Sequence, residues 1–521
     1  MPVPLDLIFH GAAGTVTGSC MELRTSGRRL LIDCGLFQGS RSLEALNHEE
    51  LPFDAGALDA VILIHTHLDH SGRLPLLTRE GYAGPIWCTP PTRQLLKPLL
   101  DDAAQIQAQD AARRNDRPDR AGFPRFEPLY DREDVRHVVE RTRGLGYRKW
   151  AEIVPGVEIR FHDPRHILGS ASLELCAEGK RLFFSGDIGQ AAGDPGMLAD
   201  AAGPFDHIVC EATYGDRDRV VPTPEARREE LAGIVERALR RGGNLLIPAF
   251  ALERTQILLE DLVALFNTGR LEPVPVVIDS PLADRITRAY RRCASPGAPR
   301  LFDHPNVRFT TGMAQSQALY RIPGAVILAG SGMCTGGRIR HHLVRNLPRA
   351  ESTVLFVGYQ ARGTLGTVLK SGAQTVRISG SDIRVCAEIA TIDAYSAHAD
   401  HAALLRFLGA RGAVRGRCSS ITARSLRLSA SPPTPPCSPA CRIPLSPGSA
   451  STSASSPEGR HSARANRARM PRRCWLPMTG AIATPPSRAR SRNGCVPCRA
   501  MPRAATRSPQ QNRRSRRAER A

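Results

Sequence analysis

His65-Thr66-His67-Leu68-Asp69-His70 follows directly on the apolar run Ala60-Val61-Ile62-Leu63-Ile64. The run has the length and β-branched content of a buried strand, so the hexapeptide falls on the turn that leaves it. Imidazole nitrogens and carboxylate oxygens are ligands that zinc, manganese and iron share. A turn at a strand exit can point neighbouring side chains at two adjacent ions, which makes a dinuclear metallohydrolase the leading reading. The competing reading, a histidine-rich surface turn, offers no packing reason for this spacing after a hydrophobic strand.

The 521 residues are enough for two or three domains. The formal charge of +21 is concentrated at one end. Residues 415–521 hold 22 arginines, no lysine and only Glu458 and Glu519 as acids, a net of +20; residues 1–414 hold 49 basic and 48 acidic side chains, a net of +1. The basic character therefore belongs to the tail and says little about the body. No apolar run approaches the roughly 18 residues of a membrane span, and Met1-Pro2-Val3-Pro4-Leu5-Asp6 lacks the basic start of a signal peptide. The expectation is a cytoplasmic protein without a membrane partner. Eight of the 14 cysteines lie in the body, spread without disulfide-like or C-x-x-C spacing, and read as small apolar core residues.

The body alternates short β-rich runs (Val61 to Ile64, Arg181 to Phe184, Asn244 to Ile247, Val274 to Ile278, Ala325 to Leu328, Val354 to Val357) with helical patterns at Pro224 to Arg240 and Glu253 to Phe266. This is an α/β signature with strands covered on both faces. A dinuclear site needs an isolated histidine and a bridging carboxylate beyond other strands. His166, ahead of Ile167-Leu168-Gly169-Ser170, and Asp187, closing Phe183-Phe184-Ser185-Gly186-Asp187, supply them. His162 competes with His166 and, as a lone histidine, reads better as a surface residue or one behind the ligands. After about Val414 the texture changes to 15 prolines with Ser, Ala and Arg and a single aromatic, Trp475. Such a segment buries too little apolar surface to fold, and its lone Cys495-Val496-Pro497-Cys498 lacks the second pair of a structural zinc site.

These strings, with Leu31-Ile32-Asp33-Cys34-Gly35, resemble the metallo-β-lactamase fold. Glu211-Ala212-Thr213-Tyr214-Gly215-Asp216, Pro248-Ala249-Phe250-Ala251-Leu252-Glu253-Arg254, Ser331-Gly332-Met333-Cys334-Thr335-Gly336-Gly337-Arg338 and Asp393-Ala394-Tyr395-Ser396-Ala397-His398-Ala399-Asp400 narrow the resemblance to its β-CASP nuclease branch. The motifs occur in the family's order over residues 5 to 412. The resemblance implies an αββα sandwich with an inserted α/β domain: metallo-β-lactamase parts at 1–205 and 382–414, the β-CASP domain at 206–381, and a disordered tail at 415–521.

The resemblance further implies metal-dependent cleavage of RNA, similar to bacterial β-CASP ribonucleases and to the endonuclease of eukaryotic mRNA 3′-end processing. His65, His67 and His166 would bind the first of two divalent ions, Asp69 and His70 the second, and Asp187 would bridge them; zinc is expected first and manganese second. Asp33 would orient the histidine turn from behind. Two cations about 3.5–4 Å apart suit in-line attack on a phosphodiester. Asp69 would belong to the catalytic set, and His398, held by Glu211, would protonate the leaving oxygen. The inserted domain would form a groove for single-stranded RNA, with Phe250, Arg254, Tyr359 and Arg362 stacking bases or binding phosphates and Ser331, Gly332, Gly336 and Gly337 presenting backbone amides. A homodimer stays open.

One family element is missing. After the His398 motif the family has a strand and then a histidine in a Val-His-Gly-Glu-like motif; here the only histidine beyond His401 is His461, in a Ser/Pro/Arg context. Read from the third base of the Arg417 codon, the segment through Arg424 can encode Val-Phe-Leu-Asn-His-Gly-Glu. The expectation is a change of reading frame near residues 412–417, which makes the tail an out-of-frame translation; the rival reading is a basic arm that grips RNA by counterion release. The corresponding alternatives for function are an impaired RNA-binding relative with an under-ligated second metal and a DNA-directed nuclease of the same superfamily.

Overall fold

The structure is a computed structural model, and it describes residues 5–25, 27–117, 123–190, 201–220, 222–293, 302–358, 360–361, 363–412, 414–416, 418–421 and 441–444. Its strands, in chain order, are β1 Asp6–Gly11, β2 Cys20–Thr25, β3 Arg28–Ile32, β4 Ala60–Ile62, β5 Ile86–Cys88, β6 Thr142–Gly144, β7 Trp150–Val154, β8 Val157–His162, β9 Ser172–Ala177, β10 Lys180–Phe184 and β11 His207–Glu211. The second half adds β12 Leu245–Pro248, β13 Val276–Asp279, β14 Val307–Phe309, β15 Val326–Ala329, β16 Thr353–Val357, β17 Thr375–Ile378, β18 Ser381–Arg384, β19 Glu388–Ile392, β20 Cys418–Ile421 and β21 Cys441–Pro444.

Two sheets, β21-β1-β2-β3-β4-β5-β6 and β20-β11-β10-β9-β8-β7, pack face to face. Strand alternation builds the layers. In β3, Leu30 and Ile32 face the second sheet, meeting Phe161, Leu173, Leu175 and Phe184, while Leu31 faces outward to Leu74, Leu96 and Leu100 under helices. On the far side, Phe183, Ile208 and Cys210 pack against Leu404 and Phe407 of the helix His401–Gly409. Helix, sheet, sheet, helix is the expected αββα sandwich.

The inserted domain is a parallel sheet, β14-β13-β15-β12-β16-β19, with helices on both faces, so its four central strands are fully buried while the edge strands β14 and β19 are partly exposed. The helix Pro224–Arg240 forms over the expected span, with Thr223 accepting from Ala226 N–H and Pro224 opening the first turn. Leu252 and Ile286 of the insert join Leu95 and Ile167 of the sandwich in one apolar cluster across the seam.

Three boundaries differ from the sequence reading. β11 belongs to the sandwich and β19 to the inserted sheet, so the insert lies between Glu211 and residues past Ile392, not at 206–381. The tail expected to be structureless supplies β20, parallel to β11, and β21, antiparallel to β1. Both pair through backbone groups on otherwise open sheet edges, which demands no side-chain periodicity. The rest of 415–521 lies outside the described residues, apart from residues 415–416. The eight body cysteines are free thiols, with Cys20, Cys34, Cys88, Cys210 and Cys334 buried as expected.

Candidate metal centre

β4 ends at Ile62 and the chain turns so that His65 is fully buried and His70 nearly so. Glycines make room for this turn. Gly35 lies so close to the Asp69 carbonyl that any Cβ there would collide with backbone. Gly186, at φ +57°, sits against the Ala171 carbonyl and Ile64 and delivers Asp187 at the exit of β10.

Four donor atoms converge. His65 Nε2 is 3.1 Å from His67 Nδ1, and His166 Nε2 is 3.4 Å from the same atom. Asp187 Oδ2 lies 3.6 Å from His65 Nε2 and 3.5 Å from His166 Nε2. A tetrahedral ion with metal–nitrogen bonds near 2.0–2.1 Å has ligand–ligand edges of about 3.4 Å, so the four atoms already stand at coordination spacing. Burial drives the His65 and His166 imidazoles well below their ordinary pKa and pushes His67 down to about 3. These rings are therefore neutral, with lone pairs rather than protons to offer, and the donor set fits a divalent cation.

The other oxygen of Asp187 faces His70, with Oδ1 3.4 Å from His70 Nε2. His70 Nδ1 donates to Asp33 Oδ2 at 2.7 Å, and that oxygen also accepts from Ser19 Oγ at 2.9 Å. Asp33 Oδ1 accepts the Ile64 amide at 2.9 Å, so Asp33 ties the turn to β3 from behind. Burial raises the pKa of Asp69, whose main-chain carbonyl accepts Ser19 N–H at 2.8 Å. Its carboxylate completes no three-donor cluster among the described residues.

A second cluster shares Asp187 with Glu211 and His398, their donor atoms all within 4.8 Å. His398 Nδ1 is 3.3 Å from Glu211 Oε2, and its ring centroid is 4.7 Å from that of His166. Glu211 is fixed at the end of β11, accepting Ile188 N–H on Oε1 while its own N–H donates to Ser185 Oγ at 2.9 Å. Burial opposes a charge on His398, but the Glu211 carboxylate, the hydrogen bond to it and Asp187 outweigh that and raise the pKa to about 10. His162 stands apart, its Nε2 2.8 Å from Glu174 Oε2 in the second sheet.

The residues expected at an RNA groove fare unevenly. Phe250 is 46% exposed with its ring against Gly332. Among the described residues the Arg254 guanidinium forms no hydrogen bond or ion pair, and its charge acts on His67. In the Gly-rich loop the Ser331 and Gly336 amides are spent internally, Ser331 N–H on Gly336 O at 3.1 Å and Gly336 N–H on Ser331 Oγ at 3.2 Å, so those two do not present amides outward. Tyr359 and Arg362 lie outside the described residues. Sequence reasoning missed Ser19 and Ser185, single hydroxyls with no spacing signal, and it did not single out Glu253.

Neutral imidazoles and a shared aspartate at the strand exits of an αββα sandwich define a metallohydrolase built to hold a divalent metal. Comparisons with known proteins narrow the class. The beta-lactamase superfamily domain matches residues 28–241 and the Beta-Casp domain residues 255–369. The chain is 38% identical to Ribonuclease TTHA0252 of Thermus thermophilus over 78% of its own length and 90% of that protein. It is 32% identical to the transcription termination factor FttA of Methanothermobacter thermautotrophicus, covering 77% of this chain and 64% of that one. It is 27% identical to an RNase J-like protein of Methanocaldococcus jannaschii, covering 77% and 89%. A crystal structure of a protein of unknown function from Enterococcus faecalis shares the fold, with TM-score 0.50 at 13% identity over 85% of this chain and all of that one. The chain belongs to the β-CASP family of the metallo-β-lactamase superfamily.

Proposed function

We propose that this protein is a metal-dependent ribonuclease that hydrolyses phosphodiester bonds of single-stranded RNA. The observation that carries the reading is the convergence of His65, His67 and His166 on Asp187, with His398 beside His166. His65, His67, His166 and Asp187 would hold one ion, and Asp69 and His70 with Asp187 are the candidates for a second. Zinc, with manganese as the second choice, would supply Lewis-acid polarisation of the phosphate and of the attacking water.

The remaining chemistry falls to the chain. His398 enters the cycle protonated and gives its proton to the departing oxygen, while Glu211 fixes its ring and keeps it charged. Arg254, without a hydrogen bond or ion pair among the described residues and with its charge acting on His67, binds a phosphate flanking the cleavage point, and Phe250 stacks a base. Asp33 keeps His70 aimed. Metal-dependent cleavage of a single-stranded RNA that chelation and His67→Ala both abolish is the test. Cleavage that survives either, or that prefers single-stranded DNA, refutes it.

One observation favours the impaired reading. β20, which ends in register with Glu211, carries Cys418, Ser419, Ser420 and Ile421 and no histidine. On that reading the protein binds RNA, retains one metal per chain firmly and turns over slowly; two firmly held metals with ordinary turnover exclude it.

A further inference from the structure

Beside His166, where the insert meets the sandwich, lies a cavity of about 270 Å³. Pro91, Tyr147, Ile167, Leu168 and Ile257 wall it with the charged Asp163 and Arg165 at the sandwich side, and Glu253 and Tyr290 reach it from the inserted domain. Glu253 is at φ +65°, ψ −57°, the centre of a γ-turn closed by Arg254 N–H donating to Leu252 O at 2.8 Å. This turn is rare and strained for a residue with a side chain, and such strain gathers where function requires it. The turn places Glu253 on the cavity wall, while the neighbouring Arg254 charge acts on both Glu253 and His67.

Glu253 opens the helix Arg254–Asn267 without capping it, and its carboxylate forms no hydrogen bond or ion pair among the described residues. The Tyr290 hydroxyl, within range of the Glu253 charge, is buried near the Leu168 backbone without closing a hydrogen bond. A buried hydroxyl left unpaired is costly unless a ligand completes it, and the half-buried Glu253 carboxylate faces the same cavity.

We propose that this cavity is a nucleobase subsite that receives a guanine of the RNA, read by the Glu253 carboxylate and the Tyr290 hydroxyl. The inference rests on the ribonuclease reading. An ionised carboxylate only accepts, and guanine alone presents two adjacent donors, N1–H and the 2-amino group, with O6 beside them for a hydroxyl donor. Adenine and cytosine set a lone pair next to their amino group, and uracil sets one donor between two acceptors, so each opposes a lone pair to the carboxylate. Aromatic and aliphatic walls suit a base turned out of a single strand.

The test is calorimetric titration of GMP, AMP, CMP and UMP into the full-length metal-loaded protein, its Glu253→Gln and Tyr290→Phe variants, and a parallel assay of RNA cleavage. GMP should bind about tenfold more tightly than the other three, falling to within about twofold in Glu253→Gln and partway in Tyr290→Phe. Equal binding of all four, a guanine preference unchanged in Glu253→Gln, or no binding by a protein that cleaves RNA overturns the subsite. A guanine preference lost in Glu253→Gln without any RNA cleavage leaves the subsite standing and refutes the ribonuclease reading instead.

Discussion

His70 Nδ1 and Asp33 Oδ2 are 2.7 Å apart, and this bond leaves His70 Nε2 facing Asp187 Oδ1. Asp33 holds φ +61° and accepts from Ser19, Ile64 and His70, so three elements converge on one buried carboxylate. Partners of this kind set ligand orientation and basicity, and their loss typically costs about 10–100-fold in metal affinity. Asp33→Ala should lower the affinity of the more weakly held ion by that factor while the fold persists, measured by competition with a chromogenic chelator. Unchanged affinity would show that the turn is held by its backbone alone.

The His398 and Glu211 pair sets a pH limb. A general acid acts in its protonated form, and His398 keeps its proton until pH rises through about 10. In Glu211→Gln the favourable charge is gone and burial, which opposes protonation, dominates. The alkaline fall of kcat should therefore move to lower pH by at least about one unit. His398→Ala should lower kcat by about 10²–10⁴-fold with metal content intact. An alkaline limb that stays in place in Glu211→Gln assigns the proton to another group.

Glu253 should weaken the folded state at neutral pH. Burial raises its carboxyl to about 7, against about 4.3 in an unfolded chain, so between these values the folded state binds the extra proton. Stability then falls as pH rises through this window, and the penalty is complete above 7. Glu253→Gln should melt higher than the wild-type protein at pH 8 and level with it at pH 4. A lower melting point at pH 8, or a difference independent of pH, would mean that the carboxylate is satisfied in the fold.

The candidate ligands stood out because closely spaced histidines at a strand exit have no structural rationale, and His166 and Asp187 repeat that placement. What escaped was set by geometry that leaves no spacing. Ser19 reaches Asp33 across two strands. Leu252-Glu253-Arg254 reads as an ordinary helix start, and its γ-turn appears only in three dimensions. The Ser331 loop has the composition of an anion cradle, but the hydroxyl of Ser331 takes up the Gly336 amide. β19 reads like its neighbours, and only its pairing with β16 assigns it to the insert.

The tail makes the last test. β20 runs parallel to β11 with Ile208 opposite Cys418 and Glu211 opposite Ile421, so it covers the edge of the strand that carries Glu211. Ending the chain after Val414 would leave β11 as an open edge, with its carbonyl and amide groups unpaired beside the metal centre. Ending it after Pro444 keeps both β20 and β21. The shorter chain should melt lower, retain less metal and aggregate more readily, whereas the longer should match the full-length protein in all three. If the basic tail is instead an RNA-gripping arm, both truncations should weaken RNA binding and flatten its dependence on salt, because most of the arginines are lost in each. Loss of stability in the first truncation with salt dependence unchanged in the second would assign the segment to the fold up to β21 and leave residues 445–521 without a part in RNA binding.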